Sequence, residues 1–280
     1  MNQHDPSKSQ LNFRFQTTCR TLRLLTTLVF IALTHVIVSA KAQSTITLES
    51  PSTPLTLLEL YTSEGCSSCP RADRWLSGLK DDPRLWRELV PVAFHVNYWD
   101  YLGWKDRFAR PQYSERQRRY ARQGYAGGVY TPGFFVNGGE WRGWFSRPSL
   151  DTSTKQPTVG VLTVTVDADQ FTATFKPESD IPALQLHIAV LGFNLQSDVR
   201  SGENAGTKLR HDFVALGYDH IPLTATGGQF QTRSSLPATN IHGGRQAIVA
   251  WVTAADKLRP LQSVGGWLLE SAPKHPTELQ

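Results

Sequence analysis

The feature that most constrains the fold is a C-x-x-C pair, Cys66 and Cys69, placed between a short apolar run and a helix-like segment. Residues 55–61 are mostly apolar, which is typical of a buried strand, and residues 69–79 carry apolar side chains on one helical face. A thiol at a helix N-terminus faces unpaired backbone N–H groups and the positive end of the helix dipole, which stabilise its thiolate. The sequence therefore predicts a redox dithiol in which Cys66 attacks a substrate disulfide and Cys69 resolves the mixed disulfide.

The N-terminus has the layout of a secretory signal peptide. Residues 1–23 are polar and include three arginines, residues 24–40 carry no formal charge, and residues 40–42 read Ala-Lys-Ala, which fits an A-x-A cleavage site. The alternative is an uncleaved membrane anchor, but the apolar run of 17 residues is shorter than the roughly 20 that a spanning helix needs. We expect residues 1–42 to be removed after Ala42 and the mature protein to be periplasmic or secreted.

Cleavage changes the charge and the cysteine content of the chain. The leader holds five basic residues and one acid, so it accounts for +4 of the formal net charge of +5 and the mature protein is close to +1. A nucleic-acid partner is therefore not expected, and neither is a stable membrane span. Cys19 leaves with the leader, so Cys66 and Cys69 are the cysteines that remain, and an oxidising compartment allows them to form a disulfide.

Two regions differ in their secondary-structure signals. In the first, predicted strands at 55–61 and 89–99 alternate with predicted helices at 69–79 and 111–123, followed by a hairpin formed by 133–137 and 141–144, which indicates an α/β sheet. The second shows period-2 alternation typical of a β-sandwich at 159–166, 171–175, 184–191, 211–216 and 247–252. The polar stretch at 148–158 separates them, so the prediction is a first domain over 43–150 and a second over 156–272.

Six stretches of the chain have the sequence motifs of a known family, namely residues 59–70, 95–106, 130–132, 136–138, 202–206 and 209–212. In these stretches the chain resembles the secreted, thioredoxin-like bacterial family catalogued as domain of unknown function 1223. The resemblance implies a thioredoxin-like α/β domain, followed here by the predicted β-sandwich, and an exported location. It does not supply a substrate, because the family has no established activity.

Thioredoxin-like folds also suggest two further site residues. A cis proline before the strand at 133–137 would pack beside the dithiol, so Pro132 is expected to position the substrate backbone. Such folds often hold a buried acid in the first strand, so Glu59 is expected to carry protons to and from Cys69. No organic cofactor is needed for this chemistry, and the expected partners are thiols or disulfides of other exported proteins.

Two other functions remain open from the residues alone. Cys66, Cys69 and His95 form a ligand set suited to copper or zinc, as in an exported metal (copper) delivery protein. The pair can also be a structural disulfide in a binding scaffold without catalytic activity. The dense aromatic residues within 98–104 suit either core packing or a groove for unfolded polypeptide. His211 and Asp212 are interpreted as ordinary strand and turn residues.

Overall fold

The computed structural model describes residues 45–146, 150, 152, 156–181, 183–241 and 244–268. The predicted signal peptide, its cleavage site and Cys19 lie outside these residues, and so does part of the predicted boundary between the two domains. Both the signal peptide and the boundary therefore stay predictions. Within the described part of the chain, no helix is long and apolar enough to cross a membrane.

The region that contains the dithiol has four strands and two helices: β2 (Thr56–Thr62), α1 (Cys69–Ser77), β3 (Leu89–His95), α2 (Pro111–Arg122), β4 (Gly133–Val136) and β5 (Gly139–Glu140). β2 is parallel to β3 and antiparallel to β4, and β4 pairs with the short β5. Every residue of β2 and β3 is buried, which explains their nearly continuous apolar sequences. Both helices have a proline in their first turn, where the missing N–H costs no helical hydrogen bond.

Most of the remaining strands join the same sheet. The remaining strands are β1 (Ile46–Glu49), β6 (Gly160–Asp167), β7 (Gln170–Pro177), β8 (Leu184–Gly192), β9 (Leu195–Asp198), β10 (Lys208–His211), β11 (Val214–Thr226), β12 (Gln229–Ser235), β13 (Gln246–Ala254) and β14 (Pro260–Trp267). Twelve of the described strands form one mixed sheet, whose main path runs in the order β1-β6-β7-β12-β11-β3-β2-β4-β5. In this sheet β8 pairs with β11 and β13, and β13 pairs with β14, whereas β9 and β10 form a separate hairpin.

The predicted fold class is wrong. The protein is mostly β, with one mixed sheet of twelve strands and two short α-helices among the described residues, rather than a thioredoxin-like α/β domain followed by a β-sandwich. β11 joins the two predicted domains into one sheet. Its 13 residues pair with β8, with β12 and, through Val214 opposite Ala93, with β3. Alternation of apolar and polar residues indicates strands but not their partners, and Pro222 breaks the local strand signal within β11.

Smaller corrections concern individual elements. The predicted strand at 141–144 is wrong, because residues Gly143–Phe145 form a 3₁₀ turn and the hairpin partner of β4 is β5. The predicted helix at 69–79 is two segments, α1 followed by a 3₁₀ turn at Gly78–Asp81. The predicted strand at 211–216 crosses the break between β10 and β11, and β1, β9, β12 and β14 are not predicted at all.

Two clusters of buried apolar residues lie on opposite faces of β8 and β13. Ala189 and Leu191 of β8 belong to the cluster that includes β2 and β3, whereas Ile188 and Val190 belong to the cluster that includes β6 and β7. Because successive side chains of a strand point to opposite faces, these central strands bury both faces. β8 and β13 therefore lie between the apolar cluster that includes β2 and β3 and the apolar cluster that includes β6 and β7.

Candidate functional site

The dithiol lies in a tight turn between β2 and α1. Cys66 and Cys69 are joined by a disulfide, and their Cα atoms are 5.4 Å apart. The Cys66 N–H donates to the Ser63 carbonyl oxygen, and the Cys69 N–H donates to that of Cys66, each over 3.2 Å. The hydroxyl oxygen of Ser68 is 3.3 Å from Cys66 Sγ. The exposed fraction of Cys66 is 2% and that of Cys69 is 0%, so the disulfide is nearly inaccessible in this state.

Trp99 connects this turn to the predicted substrate-positioning proline. A Cβ atom on Gly65 would lie 2.9 Å from Trp99 Cβ, so only glycine allows the two backbones to approach this closely. The Trp99 indole N–H donates to Thr131 Oγ1 over 2.7 Å. The Thr131–Pro132 bond is cis. The Trp99 side chain therefore lies between the dithiol turn, which it approaches at Gly65, and Thr131, the residue before Pro132.

A pocket of about 380 Å³ opens beside Pro132. The guanidinium of Arg71, two residues after Cys69 in α1, lies 6.0 Å from the Trp144 ring centroid and 5.7 Å from that of Phe145. The Arg71 side chain therefore extends from α1 toward the aromatic wall of the pocket. Phe145 is 58% exposed, so part of its apolar wall faces solvent. The lining residues are Tyr130, Pro132, Arg142, Trp144 and Phe145.

Residues 201–206, here called the capping segment, cover the dithiol turn from the C-terminal half of the chain. The Asn204 side-chain amide donates to the carbonyl oxygens of Glu64 and Cys66 over 2.8 and 2.9 Å. The Ser67 N–H donates to the Glu203 carboxylate over 2.8 Å. Hydrogen bonding by Ser67, first from its side chain and then from its backbone N–H, lowers the pKa of Glu203. A carboxylate at this end of α1 is also favoured by the helix dipole. These contacts tie the capping segment to the turn that holds Cys66.

Beneath the turn lies a cluster of three carboxyl groups and two imidazoles, here called the acid–imidazole cluster: Glu64, Asp73, His95, Asp106 and His211. His95 Nδ1 is 2.7 Å from Asp106 Oδ2, and His211 Nε2 is 3.2 Å from Glu64 Oε1. His211 Nδ1 is 3.6 Å from Asp73 Oδ2. The two imidazole centroids are 5.0 Å apart. All five side chains are buried, so their charges act in a medium of low polarity.

Burial and partners act differently on the members of this cluster. Burial lowers the pKa of His95, but the Asp106 carboxylate outweighs it and raises that pKa to about 9. Burial raises the pKa values of Asp106 and Glu64, yet His95 and His211 respectively hold them below their usual values. Burial dominates for Asp73 and raises its pKa. Asp73 is thus the carboxyl of the cluster that most readily holds a proton.

Glu59, the predicted proton carrier, lies in a different buried network. Its carboxylate accepts two hydrogen bonds from the Arg116 guanidinium, both 2.9 Å, one from Tyr61 Oη over 2.9 Å and one from Tyr120 Oη over 2.6 Å. Arg116 also donates to Tyr218 Oη of β11 over 3.2 Å. These four bonds occupy the carboxylate, so accepting a proton from Cys69 requires one of them to break.

The alternative metal site has no counterpart among the described residues. No group of three His, Cys, Asp or Glu side chains in that part of the chain is arranged to hold a metal ion, and this includes Cys66, Cys69 and His95. His95 is instead paired with Asp106.

Sequence reasoning missed Asp73, Asn204 and the position of His211. Asp73 follows Cys69 by four residues, one helical turn, and this spacing was available as a signal. Asn204 and His211 reach the site from 138 and 147 residues away, measured to Cys66 and Glu64, and no local pattern reports such contacts.

The fold and the site together define a mostly β protein with a covered disulfide at the N-terminus of a helix. The family model described as "Protein of unknown function (DUF1223)" matches residues 57–253, and the chain belongs to this family. No curated protein matches the chain.

Two solved structures are similar in fold. Protein AGR_C_4864 from Agrobacterium tumefaciens is 23% identical, with a TM-score of 0.53 over 80% of this chain and 98% of that one. HBP35 of Porphyromonas gingivalis is 17% identical, with a TM-score of 0.54 over 82% of this chain and 80% of that one. At these identities the likeness concerns the fold alone.

Proposed function

We propose that the protein is an exported thiol–disulfide oxidoreductase that exchanges disulfides with another exported protein through Cys66 and Cys69. The observation that carries the proposal is the position of the pair at the start of α1, in a turn that Trp99 links to Thr131, the residue before Pro132 of the pocket. Backbone N–H groups at a helix N-terminus stabilise the thiolate that such an exchange requires. Export rests on the sequence of residues 1–42.

The pocket supports a polypeptide as the substrate. Tyr130, Pro132, Trp144 and Phe145 present an apolar surface, and Arg142 adds a charged group that is paired with Glu140 over 3.1 Å. Aromatic walls with a few polar groups suit an extended, unfolded segment better than a small polar metabolite. A cysteine within such a segment would approach Cys66 once the capping segment moves aside.

A structural disulfide in a binding scaffold is the second candidate. The burial of both sulfur-bearing residues favours it, because disulfides that resist reduction are usually inaccessible. The two candidates differ in the stability of the disulfide toward reduction and therefore in its reduction potential.

The deciding experiment is the reduction potential of the pair in the mature protein, residues 43–280. The protein is equilibrated with defined glutathione ratios, and the alkylated thiols are counted by mass. A working oxidoreductase gives a value between about −120 and −270 mV, whose position in that range indicates oxidant or reductant. A value below about −300 mV indicates a structural disulfide and contradicts the proposal. The Cys66→Ser variant should lose exchange activity, and full retention would remove Cys66 as the nucleophile.

A further inference from the structure

The second thiol of the pair needs a proton acceptor, and its position on α1 points to one. The buried residues of α1 include Cys69 and Asp73, which are four residues apart and so share one face of the helix. Side chains four residues apart have Cβ atoms roughly 5–6 Å from each other. Helical side chains lean toward the N-terminus of their helix, so the Asp73 side chain is expected to reach toward the turn that holds Cys69.

One oxygen of the Asp73 carboxyl makes no hydrogen bond and can therefore accept a proton. Asp73 is only 6% exposed, yet within the part of the chain that the structure describes its Oδ2 has no hydrogen-bond partner. The nearby basic atom is His211 Nδ1 at 3.6 Å, which itself lacks a hydrogen-bond partner among the described residues. A buried polar atom left without a partner is uncommon and calls for a functional explanation.

The groups around Asp73 set its affinity for a proton. Burial raises its pKa most, His211, His95 and a side-chain hydrogen bond with Thr62 lower it, and Asp106 raises it. Glu64 is bonded to the same His211. Two imidazoles can compensate at most two of the three carboxylates in the acid–imidazole cluster. The third carboxylate is uncompensated, so burial raises its affinity for a proton and makes it the best acceptor of the three while it is ionised.

We propose that Asp73 is the proton acceptor of Cys69 during resolution of the mixed disulfide, and that His211 is a positioning residue for the Asp73 carboxylate. This inference rests on the proposed function. It assigns the proton transfer to a carboxyl on α1, whereas the fold-based expectation assigned it to Glu59.

The step balances when the protein reduces a substrate disulfide. The Cys66 thiolate attacks the substrate disulfide, and one substrate sulfur leaves as a thiolate. Cys69 then gives its proton to Asp73, and its thiolate attacks Cys66 Sγ. The bond between Cys66 and the substrate breaks, and the second substrate sulfur leaves as a thiolate that takes a proton from water. Two electrons pass from the dithiol to the substrate disulfide.

The test separates the two thiols by using dithiobis-nitrobenzoate, an aromatic disulfide that releases a coloured thiolate at each step. With the reduced mature protein, the first release reports attack by Cys66 and the second reports resolution by Cys69. In Asp73→Asn we expect the second release to slow by about 100-fold at neutral pH and to recover with rising pH, while the first stays unchanged. Asp81→Asn, an exposed carboxylate in the 3₁₀ turn after α1, is the matched control and should behave as wild type.

A second measurement does not depend on access by a substrate. In the Cys66→Ser background Cys69 is the remaining thiol of the mature chain, and its thiolate absorbance is followed against pH. Removing the neighbouring carboxylate in Asp73→Asn should move the midpoint of thiolate formation to lower pH, because a repelling charge is lost. A larger thiolate fraction would by itself speed the second release, so slower release in the same variant measures the loss of proton transfer to Asp73. Unchanged second-release kinetics together with an unchanged midpoint would overturn the role of Asp73. Failure of the first release, or a potential below about −300 mV, would instead count against the proposed function.

Discussion

The capping segment makes a strong prediction about access to the dithiol. Asn204 donates two hydrogen bonds to carbonyl oxygens of the turn, those of Glu64 and Cys66. A hydrogen bond of this kind contributes about 0.5–1.5 kcal/mol net, so Asn204→Ala should weaken closure of the segment by about 1–3 kcal/mol. Because about 1.4 kcal/mol corresponds to a tenfold change in an equilibrium constant, the open state should become about 5- to 150-fold more populated.

The assay is the alkylation rate of Cys66 in the reduced protein, followed by mass under native conditions. If reaction occurs from the open state, the rate should rise by the same factor as its population. Asn240→Ala removes an exposed asparagine and is the matched control, so its rate should equal that of the wild type. An Asn204→Ala rate within about twofold of wild type, with folding intact, would refute the view that these two hydrogen bonds limit access to Cys66.

Two further predictions concern the buried networks. Arg116→Met leaves the Glu59 carboxylate buried without its cation, so the free energy of unfolding in urea should fall by about 3–5 kcal/mol. The double variant with Glu59→Gln should lose less, and equal losses in the two variants would contradict the ion-pair interpretation. The pKa of His95 is raised from 6.5 to about 9 in the folded protein, chiefly by Asp106. The stabilisation that protonated His95 gives the folded state is therefore fully present below about pH 6.5 and is lost as the pH rises through 9. Stability measured across that interval should therefore decline by about 3 kcal/mol, and His95→Gln should flatten the decline, whereas an unchanged slope would assign it to other groups.

The sequence predicts local elements of this fold well. The apolar runs and their proline or glycine limits place β2, β3, β4, α2 and β13 within a few residues of their observed bounds, because these signals act over one turn or one strand. Strand pairing is different, since it joins segments far apart in the chain. β11 continues through Pro222 to Thr226 and ties the C-terminal strands to β3, and nothing in its alternation reveals that partner. The fold class was therefore wrong although many of the strands were right.

The candidate site divides in the same way. The dithiol was predicted from its own motif, because two cysteines three positions apart at a helix start suffice to join their sulfurs. Glu59 was chosen for its strand position, and its side chain lies in the ion pair with Arg116, a pairing that depends on how α2 packs. His211 was interpreted as an ordinary strand residue, yet β10 brings its ring between Glu64 and Asp73.

The C-terminal half supplies parts of the site that the N-terminal half does not contain. Asn204 and Glu203 close the turn over Cys66, and His211 lies on the opposite, buried side against Asp73. The C-terminal half of the chain thus affects both thiols. It limits access to Cys66, and it provides His211 beside Asp73, the proposed proton acceptor of Cys69. The capping segment and β10 are separated by Thr207 alone. We therefore expect that movement of the segment away from Cys66 also displaces β10, the strand that carries His211. Opening of the capping segment and the position of His211 beside Asp73 are therefore expected to change together. In the Asn204→Ala variant, the alkylation rate of Cys66 and the rate of resolution by Cys69 should then both change.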